Sequence, residues 1–369
     1  MMRTVSLSDI CTKIASGGTP LTKRGDYYGG GIPWLRTQEI NFCNIYSTEK
    51  TITELGLKNS SAKIIPKDSV IVAMYGATAG KSAINKIPLA TNQACCNLII
   101  DNSKADYRFV YYYLVNSYEK LLSAAVGAAQ QNLGSKQISA MTINLPLLNQ
   151  QKKIANILGS LDEKIELNRR MNETLEQLGQ ALFRHYFVDK AKQNNGNIQT
   201  IPLGKKFHPK RGRGLQARDM ICGDTPVISG GLKPAGFHNE ANTTAPVITI
   251  SASGANAGFV SVWGEPVWSA DSSYIDSTTI KYVYTYYLFL KNKQKEIYDM
   301  QTGSGQPHIY PKHIELLEIA DLSDCEFNDF EQRVRPLFDM IHKNKKQIYS
   351  LSNIRDSLLP KLISGEIEV

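Results

Sequence analysis

The dominant pattern along the chain is a pair of long stretches in which apolar residues return every three to four positions. From about residue 149 to 188, Ile154, Ile157, Leu161, Ile165, Leu175, Leu178 and Leu182 fall on one stripe. From about residue 329 to 363, Val334, Leu337, Ile341, Ile348, Leu351, Ile354 and Leu358 do the same. That spacing is one face of an α-helix, and about 35 residues at 1.5 Å each reach roughly 50 Å. A helix so long with a single apolar stripe needs a partner to cover it. Elsewhere the pattern changes. Short β-branched runs such as Val70-Ile71-Val72-Ala73-Met74 and Val247-Ile248-Thr249-Ile250 stop at Gly, Pro or Asn, which predicts short strands and turns. Phe109 to Ala124 and Tyr282 to Ile297 carry helical spacing again.

Self-comparison shows that these elements occur twice. Gly76-Ala77-Thr78-Ala79-Gly80 matches Gly254-Ala255-Asn256-Ala257-Gly258 at an offset of 178, as Pro88 matches Pro266. Tyr112-Tyr113-Leu114 matches Tyr286-Tyr287-Leu288 at 174, and Gly127, Gln130, Lys136 and Ile138 match Gly303, Gln306, Lys312 and Ile314 at 176. Ile165, Asn168, Leu175, Leu178 and Leu182 match Ile341, Asn344, Leu351, Ile354 and Leu358, also at 176. A repeat of this length decides the architecture. The predicted fold is α+β: two β-rich mixed domains, each followed by a long helix, with the two helices packed as an antiparallel, coiled-coil-like pair under pseudo-two-fold symmetry. The packing residues are Ile154, Leu161, Ile165, Asn168, Leu175 and Leu182 against Leu337, Ile341, Asn344, Leu351 and Leu358. Asn168 and Asn344 either lie in the stripe and fix its register or sit at its solvent edge. The expected boundaries are 1–148 for the first domain, 149–188 for the central helix, 189–199 for a polar linker, 200–326 for the second domain and 327–369 for the distal helix.

Charge and composition narrow the function. The chain of 369 residues has 42 basic and 34 acidic residues, a formal charge of +8. The first 188 residues hold 21 of the basic and 14 of the acidic ones, so most of the excess lies there. A polyanionic partner fits that balance. No run of 18 apolar residues predicts a membrane span, and Met1-Met2-Arg3-Thr4-Val5-Ser6-Leu7 has no apolar region of a secretory signal, so a cytoplasmic location is expected. Six scattered cysteines and six histidines lack metal-ligand spacing, so no metal site is predicted, and Cys95-Cys96 read as buried small apolar groups.

Gly76 to Ser82, ending in Gly80-Lys81-Ser82, suggests a phosphate-binding loop. Its first glycine is replaced by Tyr75, the residues after it look like a strand, and the second copy has Phe259-Val260 in place of Lys-Ser. No other catalytic constellation is present, which predicts a chain without catalytic residues. The binding signal is stronger. Polar loop residues accompany bases in both copies: Arg36, Thr37, Gln38, Thr78, Lys81, Ser82, Asn92 and Gln93 in the first, and Arg211, Arg213, Lys233, Ser251, Ser253, Asn256 and His308 in the second. Arg and Lys suit guanine edges and phosphates, Asn and Gln adenine edges.

With the repeat in view, the Gly-Ala-x-Ala-Gly turn, the steps Gln131-Asn132-Leu133 and Gln306-Pro307-His308-Ile309, and the following long helix resemble the specificity subunit of type I restriction-modification systems. Leu145-Pro146-Leu147 leading into Gln150-Gln151-Lys152-Lys153-Ile154 is similar to that family's central helix, and the run from Leu358 to Ile367 to its distal one. The second copy departs in being about 20 residues shorter before its Gly-rich turn. The resemblance implies a non-catalytic subunit whose two target recognition domains read a split, asymmetric site in double-stranded DNA. It also implies two modification (methyltransferase) subunits docked on the helices, and restriction subunits in the full nuclease. S-adenosylmethionine, ATP and Mg²⁺ would then belong to those partners. Two other classes stay open from the residues alone: a nucleotide-dependent enzyme using the Lys81 loop, and a structural adaptor that binds only protein.

Overall fold

The structure, a computed structural model, describes residues 2–124, 132–189, 199–303, 305–321 and 323–369. Gly127, Gln130, Gln131 and most of the expected linker lie outside the described residues. The chain divides into two compact units. The first comprises Met1–Lys164 with Ser350–Val369, the second Ile165–Tyr349.

In the first unit, Arg3–Ser6 pairs antiparallel with Thr142–Leu145, joining the start of the unit to the strand before its long helix. A five-stranded sheet runs in the order Cys11–Ser16, Cys95–Ile100, Val70–Ala73, Ser82–Asn85, Cys43–Ile45. A second sheet runs Lys50–Ile52, Tyr28–Leu35, Leu89–Thr91, Ile64–Ile65. Every side chain of Val70–Ala73 is buried, as its unbroken apolar character requires of a strand covered on both faces, and Ser82–Asn85 beside it is buried throughout although Ser82 and Asn85 are polar.

The second unit rebuilds this order with fewer strands. Thr200–Pro202 pairs with Glu318–Ala320, and a four-stranded sheet runs Lys210–Arg211, Ser272–Asp276, Val247–Ser251, Val260–Trp263. A three-stranded sheet, Gly236–His238, Thr225–Ile228, Trp268–Ser269, keeps the parallel pair that Tyr28–Leu35 and Leu89–Thr91 make in the first unit. Strands Cys43–Ile45 and Ile64–Ile65 and the helix Glu54–Lys58 have no counterpart among the described residues, which accounts for the shorter second copy.

The helical segments after the sheets are shorter than their apolar spacing predicts. Phe109 to Ala124 is two helices, Tyr107–Asn116 and Tyr118–Ala124, and Tyr282 to Ile297 is Val283–Asn292 followed by Gln294–Asp299. Each break follows an Asn, at Ser117 and Lys293, where ψ opens to 11° and 8°; Asn is among the weaker helix formers. The first of these helices is capped by its own Asp106, which accepts from the N–H groups of Arg108 and Phe109. The second has no such cap and is met from outside by buried Glu331, whose carboxylate accepts from the amides of Tyr284 and Thr285. Either way the helix start receives the negative group it favours.

The first long helix is Leu148–Phe183, closed by a wide turn over Arg184–Asp189, and the second is Asp324–Ser364. Both units hold a segment of each. In the first unit Ile154, Ala155 and Leu158 share a core with Leu359, Leu362 and Ile363, and Arg355 Nη1 donates to Asp162 Oδ1 at 2.8 Å. In the second unit Asn168 Nδ2 donates to Gln347 Oε1 at 3.1 Å, and Asn344 Nδ2 to Asn172 Oδ1 at 2.9 Å. In each unit, then, higher numbers on one helix meet lower numbers on the other, the antiparallel sense. Asn168 and Asn344 are both buried, and so are Ile154, Ile165 and Ile341. Leu161, Leu175, Leu182, Leu337, Leu351 and Leu358 are half-buried. Ile157, Leu178 and Ile354 leave the expected stripe and lie exposed, since a straight helix drifts about 20° per heptad from a fixed row. Their place is taken in the second unit by Phe183, Phe327, Phe330 and Phe338, with Phe187 set edge-on 4.7 Å from Phe330.

Candidate nucleic-acid interface

The Gly-Ala-x-Ala-Gly segment closes on itself. In the first unit Ala79 N–H donates to Gly76 O (3.0 Å), Gly80 N–H to Ala73 O (2.9 Å) and Lys81 N–H to Thr78 O (2.9 Å). In the second, Ala257, Gly258 and Phe259 donate to Gly254, Ser251 and Asn256 at 3.0, 2.8 and 2.9 Å. Gly76 and Gly80 have φ of 79° and 80°, Gly254 and Gly258 of 82° and 87°, a region open to glycine and strained for other L-residues. Three amides that a phosphate-binding loop would turn outward are therefore engaged inward, and Ser82 is wholly buried in its strand.

The variable third residue ties this turn to a second loop. Thr78 Oγ1 donates to the carbonyl of Thr37, two residues beyond the strand Tyr28–Leu35. Asn256 Nδ2 donates to the carbonyl of Gly230, two residues beyond Thr225–Ile228 (3.3 Å). A third loop joins through the backbone. Asn92 N–H donates to Leu35 O (2.9 Å), and Ala270 N–H to Ile228 O (2.7 Å).

These bonds bring the first-unit candidates together. Arg36, Thr37 and Gln38 lie beside Thr78 and Lys81, with Asn92 and Gln93 on the adjoining loop. Their exposure differs. Gln38 and Gln93 are exposed, although Gln93 Oε1 accepts a short bond from Thr19 Oγ1. Thr37 is buried. Arg36 is held by Glu49 at 2.5 Å with 23% of its side chain exposed. Lys81 Nζ rests on the neutral Asn41 Oδ1 (2.7 Å) and 5.8 Å from the Phe42 ring centre, so its charge is not cancelled by a carboxylate there.

In the second unit Ser253, Asn256, His308 and Arg211 gather, and Arg213 follows Arg211 on the same rim, both exposed. Lys233 is exposed on the loop after Thr225–Ile228. Ser251 is buried at the end of its strand. Two residues missed by the sequence reading complete the cluster. Asp271 accepts a short hydrogen bond from Ser253 Oγ and lies 3.8 Å from Arg211, while the Tyr310 ring stacks on His308 and underlies the Arg211 guanidinium at 5.6 Å. Asp271 carries no motif, and its counterpart in the first copy is an alanine, so only the folded frame reveals it. Cys95 and Cys96 are buried and burial pushes both thiols up to about 12, the condition of unreactive core groups.

Residues 2–177 match the family described as the type I restriction modification DNA specificity domain. The chain is 28% identical to the type I restriction enzyme MjaIX specificity subunit of Methanocaldococcus jannaschii, over 97% of this chain and 91% of that one. It is 24% identical to the HindI specificity subunit of Haemophilus influenzae, over 70% and 77%. The crystal structure of a type I restriction-modification S subunit from M. genitalium superposes with a TM-score of 0.65 at 22% identity, covering 98% of this chain and 96% of that one, and so shares the fold.

Proposed function

Because residues 2–177 match the type I restriction modification DNA specificity domain and nearly the whole chain resembles a type I specificity subunit, we propose that this chain is such a subunit and that its two units each read one part of a bipartite, asymmetric site in double-stranded DNA. The observation that carries this reading is the repeated backbone frame. The same turn and the same tethered loops recur, and they present Arg36, Gln38, Lys81 and Gln93 in one unit but Arg211, Arg213, Lys233 and Asn256 in the other. One frame with two sets of polar side chains suits two half-sites of different sequence. The excess of basic over acidic residues supports a polyanionic partner.

In this reading the chain does no chemistry. Two modification subunits dock on the long helices, restriction subunits join in the full nuclease, and S-adenosylmethionine, ATP and Mg²⁺ are held by those partners. Support for docking comes from apolar side chains left in water on the helices: Leu167, Met171, Leu178, Met340 and Tyr349 in the second unit are all exposed. With roughly half of each side chain already covered, burial by a partner would recover about 1 kcal/mol apiece, about half of the value for a fully exposed side chain. The helices then set the gap between the half-sites, and the loops set the bases.

The test is binding of genomic DNA fragments by the assembled complex at rising salt, together with methylation mapping in cells with and without the chain. Affinity should fall steeply between about 50 and 200 mM salt, and one split motif should vanish when the chain is absent. Salt-independent binding, or methylation that does not depend on the chain, refutes the proposal.

A further inference from the structure

The two frames can be aligned residue by residue through their hydrogen bonds. Met74 N–H donates to Ala94 O where Ala252 N–H donates to Asp271 O, and Leu133 N–H to Met74 O where Ile309 N–H donates to Ala252 O. Gly18 N–H donates to Thr91 O, and the same carbonyl of Gly18 takes the indole N–H of Trp34 at 3.0 Å. Arg213 makes both bonds in the second unit, its N–H to Ser269 O and its carbonyl from the Trp268 indole at 2.8 Å. These equivalences set Arg211, Asp271, Ser253, His308 and Tyr310 at the places that Ser16, Ala94, Tyr75, Asn132 and Gly134 occupy in the first unit. The backbone is kept at five points while every side chain changes.

We infer that Arg211 reads a guanine in the half-site of the second unit, with Asp271 and Tyr310 as positioning residues that aim its guanidinium. This rests on the DNA-reading function proposed above and names the residue that discriminates. Arg211 is half exposed, 49% of its side chain, and its guanidinium carbon lies over the Tyr310 ring, 5.6 Å from the ring centre, a contact that holds the group on one side. Asp271 lies 3.8 Å away, beyond hydrogen-bond distance, and its Oδ2 is already engaged by Ser253. The fork of N–H donors is thus oriented yet free, the state that guanine O6 and N7 require for a two-point contact. Arg36, an arginine on a different loop of the first unit, is instead closed onto Glu49 at 2.5 Å.

The experiment assembles the full complex with Arg211→Lys, Asp271→Asn or Tyr310→Leu and maps methylation across a host genome. Lysine keeps the charge and loses the fork. Arg211→Lys should therefore lose about ten- to a hundredfold discrimination at one G·C position of one half-site, with the other half-site and the salt dependence of binding unchanged. Asp271→Asn and Tyr310→Leu should relax the same position to a lesser degree. An unchanged motif in Arg211→Lys, the mark of a phosphate contact, or changes spread over both half-sites, overturns the inference. If Arg211→Lys does not accumulate, Asp271→Asn decides, and an unaltered motif there counts against it. A wild-type complex with no split motif would sink the proposed function itself, whereas a split motif indifferent to these substitutions sinks only this assignment.

Discussion

Replacing Gly258 by alanine tests the turn at its tightest point. With φ at 87°, an alanine there adopts the left-handed region at about 1–2 kcal/mol. Its Cβ would sit 2.8 Å from Ile297 Cγ2 and 3.3 Å from Ile309 Cγ1, both fully packed side chains with little room to yield. Overpacking of this kind adds roughly 1–3 kcal/mol, so the second unit should lose about 2–5 kcal/mol. Gly254 is the internal control. Its φ is 82° but nothing lies within 4 Å of an added Cβ, so Gly254→Ala should cost about 1–2 kcal/mol from the backbone alone. Urea unfolding followed by tryptophan emission measures both. In a Trp34→Phe background the signal comes from Trp263 and Trp268, which lie in the second unit. With a slope of about 2 kcal/mol per M, the midpoint should move by roughly 1–2.5 M for Gly258→Ala and about 0.5–1 M for Gly254→Ala. Equal shifts would mean that the helix carrying Ile297 yields freely and that the argument from packing is wrong.

Three further outcomes follow. His342 packs against Gly264, and burial lowers its pKa from 6.5 to about 4; a depressed histidine stabilises the fold above its unfolded pKa and ceases to do so as pH falls, so wild type should lose about 3 kcal/mol between pH 6.5 and 4 relative to His342→Gln, and parallel curves of stability against pH would refute it. Asp162→Ala strips the acceptor shared by Arg355 at 2.8 Å and Tyr112 at 2.7 Å in the first unit, and should cost about 1–3 kcal/mol in urea unfolding; no change would show the pair to be solvated. Lys81→Ala should leave ATP binding by the assembled complex intact while lowering the salt slope of DNA binding by about one; loss of ATP binding with unchanged DNA affinity would restore the nucleotide-enzyme alternative.

The repeat was legible because both copies keep the glycines that the turn requires, and the long helices because their apolar rows run for many turns. Which residues face inward was less legible. The apolar stripe over Val334, Leu337, Ile348 and Ile354 holds at Val334, which is buried, whereas Leu337 and Ile348 are half-buried and Ile354 is exposed, and Phe330 and Phe338 of the same helix are buried although they lie off the stripe, because the helix packs there on a domain core as well as on its partner. The breaks at Ser117 and Lys293 were hidden by apolar spacing that continues across them. At the candidate interface, residue type alone picks out Arg211, His308 and Lys81. It could not show that Ser82 faces inward, that Glu49 occupies Arg36, or that Asp271 and Tyr310 frame Arg211, since those relations are formed by strands distant in sequence.

The tether from the third turn residue has a consequence for how specificity can change. Thr78 holds the loop of Thr37, and Asn256 the loop of Gly230, through one side-chain bond each. A change at either residue releases a neighbouring loop whose own letters are untouched, so substitutions in the two loops will be epistatic rather than additive. If these loops read bases as proposed, a new target sequence in either unit would call for matched changes at both ends of its tether rather than for a single substitution in one loop.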